Sequence, residues 1–378
     1  MGAIYEGALL TVAALASKDG NGGCWTTNSW TVQIQLSEHQ VISFGMRISP
    51  IGRHRDADVD TPSPGVLAPL AGRKWAMQER LLSRRILQFT STELVWACKD
   101  GLGCECRPET RMRSELHVPL ELEPAAPRGD DEVLYALAQK WTTWVRIFSS
   151  AALTYESDVF PAIAGVARVF RHQGLGSYKA GMWTNTLPWT LCWYPVSGLL
   201  PSSTASLYSV EADPTSPGRP RTFVAPTWSW AAVGEVVAFE SPALKRPVAH
   251  IVKVECTLVD GDEYGRISAG YLELETFVLH VSGHEALRRR FRRFKPFYER
   301  FGFDRFYLNS TDDLPMLRKA NHFPFALLTV HVDGRAHGIA LVKNKDKTYS
   351  RLGAFNMKIK SDAAILPFTY MSNFSNTL

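Results

Sequence analysis

Cysteine is scarce in this chain: six residues in 378, Cys24, Cys98, Cys104, Cys106, Cys192 and Cys256. That is too few for a disulfide-built scaffold, and free thiols in a reducing compartment are the expectation. Long hydrophobic runs are also missing. The apolar stretch Ala8 to Ala16 is far below the roughly 20 residues a bilayer-spanning helix needs, and the opening MGAIYEGALLTVAALASKDG has no basic region before it, so it reads as a core element, not a targeting segment. Neither sign of charge dominates. With 42 basic and 37 acidic residues the net charge is +5, too small an excess to argue for nucleic acid or a membrane surface from the total alone. The signatures G-x-S-x-G, H-E-x-x-H, G-x-x-x-x-G-K-[ST] and G-x-G-x-x-G are absent; the nearest, Gly174-Leu175-Gly176, lacks its third glycine. No internal repeat is present.

Aromatic residues are abundant: 11 Trp, 19 Phe and 12 Tyr. Such side chains bury large areas while their polar edges need partners, so many of them are expected to be structural. A polar, proline-containing stretch between Gly52 and Pro69 reads as an exposed loop. From Arg73, the residues Trp75, Leu82, Ile86 and Phe89 recur at intervals of seven, four and three, which predicts one helical face. TELVWAC then alternates as a strand does. DEVLYALAQKWTTWVRIFSS carries Val133, Leu134, Leu137, Trp141, Trp144, Val145 and Phe148 at helical spacing, and a second helix follows with Asp158 as its cap and Pro161 in its first turn. The two helices are expected to pack together. After Tyr178 come short segments rich in Val, Thr, Trp and Phe, among them HIVKVECTLV, YLELETFVLHV, FALLTVHV and HGIALVK, the last two joined at Asp333-Gly334, a strong hairpin signal. Pro195 to Arg221 reads as a long loop. The expected fold is α+β: a residual α/β N-terminal piece over 1–118, a helical linker pair over 131–175 and a β-rich C-terminal domain over 176–378.

Four groups of residues invite chemistry. Gln78, Glu79 and Arg84 are the most distinctive polar set, and Glu79 is the one carboxylate able to serve as a general base if it sits beside a cleft; a helix whose polar residues satisfy neighbouring backbone is the simpler account. Cys98, Cys104 and Cys106, with His117, have zinc-ligand chemistry but not a zinc-ligand spacing, so no metal is expected. Arg288, Arg289, Arg290, Arg292, Arg293 and Lys295 interleave with aromatics in LRRRFRRFKPF, a composition suited to phosphates, to an anionic membrane or to nuclear import, or to a solvated insertion. Trp228-Ser229-Trp230 fits an aromatic ligand wall, or a strand with both rings on one buried face.

In order along the chain, these blocks resemble the heterokaryon-incompatibility (HET) domain proteins of filamentous fungi. Ile4-Tyr5 with Ala8 is similar to the end of the HET domain. Arg73, Trp75, Gln78, Glu79 and Leu81-Leu82-Ser83-Arg84 resemble the family's RGW-x-x-QE-x-x-LS-x-R block, Trp96 and Cys98 its LVWEC-like strand, and Cys104 and Cys106 the segment after it. Asp158-Val159-Phe160-Pro161-Ala162-Ile163 looks like its D-x-LPAI helix, Tyr178 to Trp183 with Gly181 its Y-x-AG-x-W, and Pro226, Trp228 and Trp230 its APSWSWA element. Gly338 and Arg351-Leu352-Gly353 resemble its C-terminal hairpin. The LSYCWG-like opening of the family is not found, which suggests a chain lacking the N-terminal half of that domain. The resemblance implies a role in vegetative incompatibility, non-self recognition leading to programmed cell death, through a protein partner and in the cytoplasm or nucleus. No cofactor and no transmembrane segment are expected. A TIR-like NAD-consuming enzyme using Glu79, a binder working through the basic run, and an inactive paralogue are the other readings.

Overall fold

The computed structural model describes residues 2–24, 29–37, 39–47, 69–91, 93–98, 100–105, 107–112, 130–198, 220, 222–240, 245–282, 303–310, 322–358 and 374–376. The fold is mixed α+β. The chain divides into two compact units: Met1–Glu123 with Ser150–Thr154, and Pro124–Ser149 with Tyr155–Leu378. Among the described residues no helix is long and apolar enough to cross a membrane.

The first unit contains α1 (Gly2–Gly7), β1 (Thr11–Ala13), the hairpin β2 (Ser29–Ser37) and β3 (Gln40–Arg47), α2 (Lys74–Leu82), β4 (Arg85–Phe89), β5 (Leu94–Cys98), β6 (Gly101–Cys104) and β7 (Arg107–Met112). Its sheet runs β1-β4-β5-β6-β7. β1 lies parallel to β4, with Ala13 opposite Gln88, and the remaining strands pair antiparallel. A parallel pair needs a crossover, and α2 lies on that connection. Because side chains alternate across a strand, one face gathers Ala13, Ile86, Val95, Ala97 and Leu102 with Leu15 as the core. The row Val12–Leu87–Trp96 faces the other way, with Val12 54% and Trp96 38% exposed.

Two expectations are corrected in this unit. The helix predicted through Phe89 stops at Leu82, and Ile86 and Phe89 lie on β4. Ser83 leaves the helix in an extended conformation, and its hydroxyl donates back to the Glu79 carbonyl at 2.7 Å, satisfying an acceptor the helix end would otherwise orphan. Two elements happened to place apolar residues at helical spacing. The apolar start is also less of a core element than its composition suggests: Leu9 is 79% exposed, while only Ala13 and Leu15 in that stretch are buried.

The second unit opens with α3 (Asp130–Ser150), whose part in this unit ends at Ser149. It buries Ala138, Trp141, Trp144, Val145 and Phe148. After it, α4 (Val159–Phe170) buries Ile163, Val166, Ala167 and Phe170. The two helices pack through Trp141 and Phe170, edge to face at 5.4 Å between centroids. Asp158 stands at the N-cap position, but its side chain makes no capping hydrogen bond. The hairpin β8 (Tyr178–Lys179) and β9 (Met182–Trp183) turns at Ala180 and Gly181, both with positive φ, 48° and 83°, a two-residue turn that follows the twist of the strands.

Beyond it lie α5 (Leu187–Thr190), β10 (Trp193–Pro195) and β11 (Val237–Phe239), then β12 (Lys245–Pro247), β13 (His250–Leu258), β14 (Ile267–Glu275), β15 (Val278–Ser282), β16 (Phe303–Leu308), β17 (His322–His331), β18 (Arg335–Lys343), β19 (Tyr349–Lys358) and β20 (Phe374–Asn376). The main sheet runs β12-β17-β18-β19-β16, with β15 also on β17. Gly334, at φ +83°, closes the β17–β18 hairpin with its amide on the His331 carbonyl, as Asp333-Gly334 predicts. YLELETFVLHV divides into β14 and β15 around Thr276, whose hydroxyl donates to the Leu327 carbonyl. The calls on 52–68 and on 199–219 fall outside the described residues.

Pro226 to Ala232 is not the strand that Trp228-Ser229-Trp230 suggests. The Ser229 amide donates to the Pro226 carbonyl at 2.9 Å, and a 3-10 turn follows over Trp230–Ala232 with Ser229 as its cap. This irregular backbone is held from the side: the Ser229 hydroxyl donates to the Ala180 carbonyl at 2.7 Å, and the indoles of Trp230 and Trp141 both donate to the Gly181 carbonyl, at 2.8 and 3.2 Å. A Cβ on Gly181 would sit 2.6 Å from Trp230 Nε1. Since both the positive φ and the clash act against any side chain here, Gly181→Ala is expected to destabilise this unit by about 3 kcal/mol; chemical denaturation monitored by indole fluorescence measures it.

Candidate functional site

In the first unit a cavity of about 50 Å³ is lined by residues from α2, β1, β4 and their surroundings, among them Thr11, Leu15, Met77, Glu79, Arg80 and Ile86. A two-step polar chain sits beside it. Ser83 donates to the Glu79 carbonyl, so the Thr11 hydroxyl donates to Ser83 Oγ, at 2.7 Å. Glu79 is partly exposed. Burial, and then its hydrogen bond to Glu79 and that residue's negative charge, push the Tyr5 phenol upward. The carboxylate therefore already has a partner in α1.

Arg80 differs from its neighbour. It is 8% exposed, its Nε–H meets no acceptor among the described residues, and burial lowers its guanidinium to about 10. It remains protonated at neutral pH. A drug-sized or nucleotide ligand needs roughly 300–1,000 Å³. The cavity has room for solvent or a guest of a few atoms.

The other predicted residues lie apart from this cavity. Trp75 and Gln78 share α2, Gln78 being buried, and Arg84 is exposed just past the helix end. Cys98 and Cys104 are on paired strands, but Cys98 faces Gly101 whereas Cys104 faces Val95. They stand three rungs apart, roughly 10 Å, on opposite faces of the sheet, so one metal ion does not bridge them at the roughly 2.3 Å that thiolates require. Cys104 packs against the apolar core. Cys106 and His117 contribute no described side chain, and Arg288, Arg289, Arg290, Arg292, Arg293 and Lys295 lie outside the described residues. Cys24, Cys98, Cys192 and Cys256 are free thiols, and the described residues hold no His/Cys/Asp/Glu group suited to a metal ion.

The aromatic motif residues of the second unit are packed. Tyr178, Trp183, Trp228 and Trp230 are at most 2% exposed. Trp141 meets Tyr178 and Trp183 edge-on, with centroids at 6.0 and 5.9 Å, and Trp230 meets Phe148 and Phe160 in the same way. Pro161 is half-buried in the first turn of α4. Arg351, wholly buried, lies flat on Trp193 with its guanidinium carbon 3.6 Å from the ring centroid. It donates to the Trp193 carbonyl and to Asn309 Oδ1, while its own amide donates to Thr227 Oγ1 at 3.0 Å. These are scaffold contacts.

A second polar cluster joins Lys245 on β12, His337 on β18, Glu240 and Cys192, two residues past α5. Lys245 Nζ lies 3.6 Å from Glu240 Oε2, and the Lys245 carbonyl accepts from Tyr135 and Trp189, both at 3.3 Å. Burial, partly offset by Lys245, pushes the Cys192 thiol up to about 11, away from the thiolate a nucleophile needs. Burial, reinforced by Lys245, lowers His337 to about 4, with Glu240 opposing and His331 and Arg335 adding to the effect.

Because the unfolded histidine binds its proton near pH 6.5 and the folded one does not until about pH 4, the unfolded chain holds more protons between these limits. The contribution is complete above about pH 6.5 and is lost as the pH falls to about 4. A loss on the order of 2 kcal/mol is expected over that window, reduced in His337→Phe, as read from denaturation midpoints against pH.

Comparison with family models, with curated proteins and with solved structures returned no match to this chain. Sequence reasoning weighed Glu79 for chemistry, met Arg80 and Ser83 only as parts of the family block, and passed over His337. A signal was present for Arg80, which is three residues after Met77, on a buried helical face where a lone cation is out of place.

Proposed function

We propose that this chain is a heterokaryon-incompatibility factor of a filamentous fungus, taking part in non-self recognition and programmed cell death through contacts with a protein partner. The observation that carries the reading is the use made of the motif residues. Tyr178, Gly181, Trp183, Trp228 and Trp230 interlock through rings and shared carbonyls in the interior, which is what a recognition scaffold asks of them and not what a ligand wall does. The cavity beside Glu79 is far smaller than a dinucleotide, and the Cys192 thiol is held in its neutral form. Both speak against bond-breaking chemistry at these two places and favour the reading of a chain that works by binding.

The direct test is expression of the chain in fungal strains of unlike incompatibility background. Recovery of viable heterokaryons is expected to fall with the natural sequence and to return with Gly181→Glu, which disrupts the interlock. Recovery unchanged in every background contradicts the proposal. In parallel, purified protein incubated with NAD is expected to release no nicotinamide above the buffer level; release abolished by Glu79→Gln establishes the enzymatic alternative instead.

A further inference from the structure

A protonated guanidinium removed from water and left without a counter-charge costs several kcal/mol, and folded proteins place such groups against an anion, a carboxylate or a set of acceptors. Arg80 is only 8% exposed, and its Nε–H meets no acceptor among the described residues. Its neighbours are spoken for: the Glu79 side chain engages Tyr5, and the Thr11 hydroxyl donates to Ser83. What adjoins Arg80 is the cavity of about 50 Å³, whose other walls are largely the apolar side chains of Leu15, Ala76, Met77 and Ile86.

We infer that this cavity is a binding site for one small monovalent anion, held by the guanidinium of Arg80. The site selects by three properties. Its volume takes one or a few heavy atoms and shuts out nucleotides and other metabolites of that size. Its apolar walls replace few of an anion's lost water contacts, which favours a single charge over a double one. Guanidinium is itself weakly hydrated and pairs readily with weakly hydrated anions. A halide and a one-carbon carboxylate share this chemistry. Bound there, the ion couples α2 to β1 and β4, since Arg80 is on the helix and Thr11 and Ile86 are on the strands.

The test compares amide hydrogen exchange across residues 74–89 of the full chain in chloride, formate and the bulkier isethionate at equal ionic strength. Exchange is expected to slow saturably in chloride or formate, by about tenfold at an anion concentration ten times the dissociation constant, and to be unaffected by isethionate. Protection by chloride alone identifies a halide site, and protection by formate identifies a carboxylate site. Arg80→Met removes the charge, and Ala76→Leu fills the cavity while leaving the charge in place; both are expected to abolish the anion response. Equal exchange of the natural chain in all three salts overturns the inference, as does a response that survives either substitution. Should Arg80→Met not fold, Ala76→Leu decides, together with chloride-35 line broadening of the natural protein. Saturable broadening suppressed by formate or by Ala76→Leu supports the site, and its absence overturns it.

Discussion

A buried indole brings an N–H that has no water to bond to, and each tryptophan in this protein's interior imposes that constraint on the backbone around it. The second unit meets it for Trp141, Trp230 and Trp193 by concentrating acceptors, whereas the Trp183 and Trp228 indoles have no acceptor among the described residues. One carbonyl, that of Gly181, receives both Trp141 and Trp230, and the Trp228 carbonyl receives Trp193 at 2.9 Å. Carbonyls can accept two donors only where the chain leaves their lone pairs open, which the β8–β9 turn does and a regular ladder does not. The position of α3, the turn at Ala180-Gly181 and the 3-10 segment at Trp230 are thereby tied to one another.

Arg351 extends the same logic to the sheet. Its guanidinium covers Trp193 and donates to that residue's carbonyl, while its own backbone bonds Thr227 and Asn309. Stacking on a desolvated ring is worth about 2 kcal/mol, and the hydrogen bonds decide where the ring sits. Arg351 thus fixes β19 against β10 and against the segment that leads into Trp228. The motif arginine at the C-terminal hairpin and the motif tryptophans upstream belong to one packing arrangement, although more than a hundred residues separate Arg351 from Thr227 in sequence.

Local signals were legible where one element owned its pattern. The apolar face of α3, the packing of α3 on α4 and the Asp333-Gly334 hairpin follow from spacing and turn chemistry alone. The reading failed where two elements shared a pattern, as when α2 and β4 together mimicked one longer helix, and where tertiary hydrogen bonds overrode propensity. Trp228-Ser229-Trp230 has the composition of a strand, yet Ser229 bonds Ala180, 49 residues earlier, and bends the backbone away from a ladder. At the cavity, Glu79 stood out because carboxylates are sought in active sites. Arg80 did not, because its significance lies in burial and in an Nε–H that meets no acceptor among the described residues, and neither is visible before the helix is placed on the sheet.

The uneven placement of the indoles has an optical consequence. Seven of the eleven tryptophans belong to Pro124–Ser149 and Tyr155–Leu378, and all seven are shielded from water, whereas Trp96 on the five-stranded sheet is in contact with it. Blue-shifted emission from this protein is therefore dominated by one half of the molecule. A melting curve followed at that wavelength chiefly tracks the dissolution of the aromatic half, with half-buried Trp75 as the one reporter inside Lys74–Phe89.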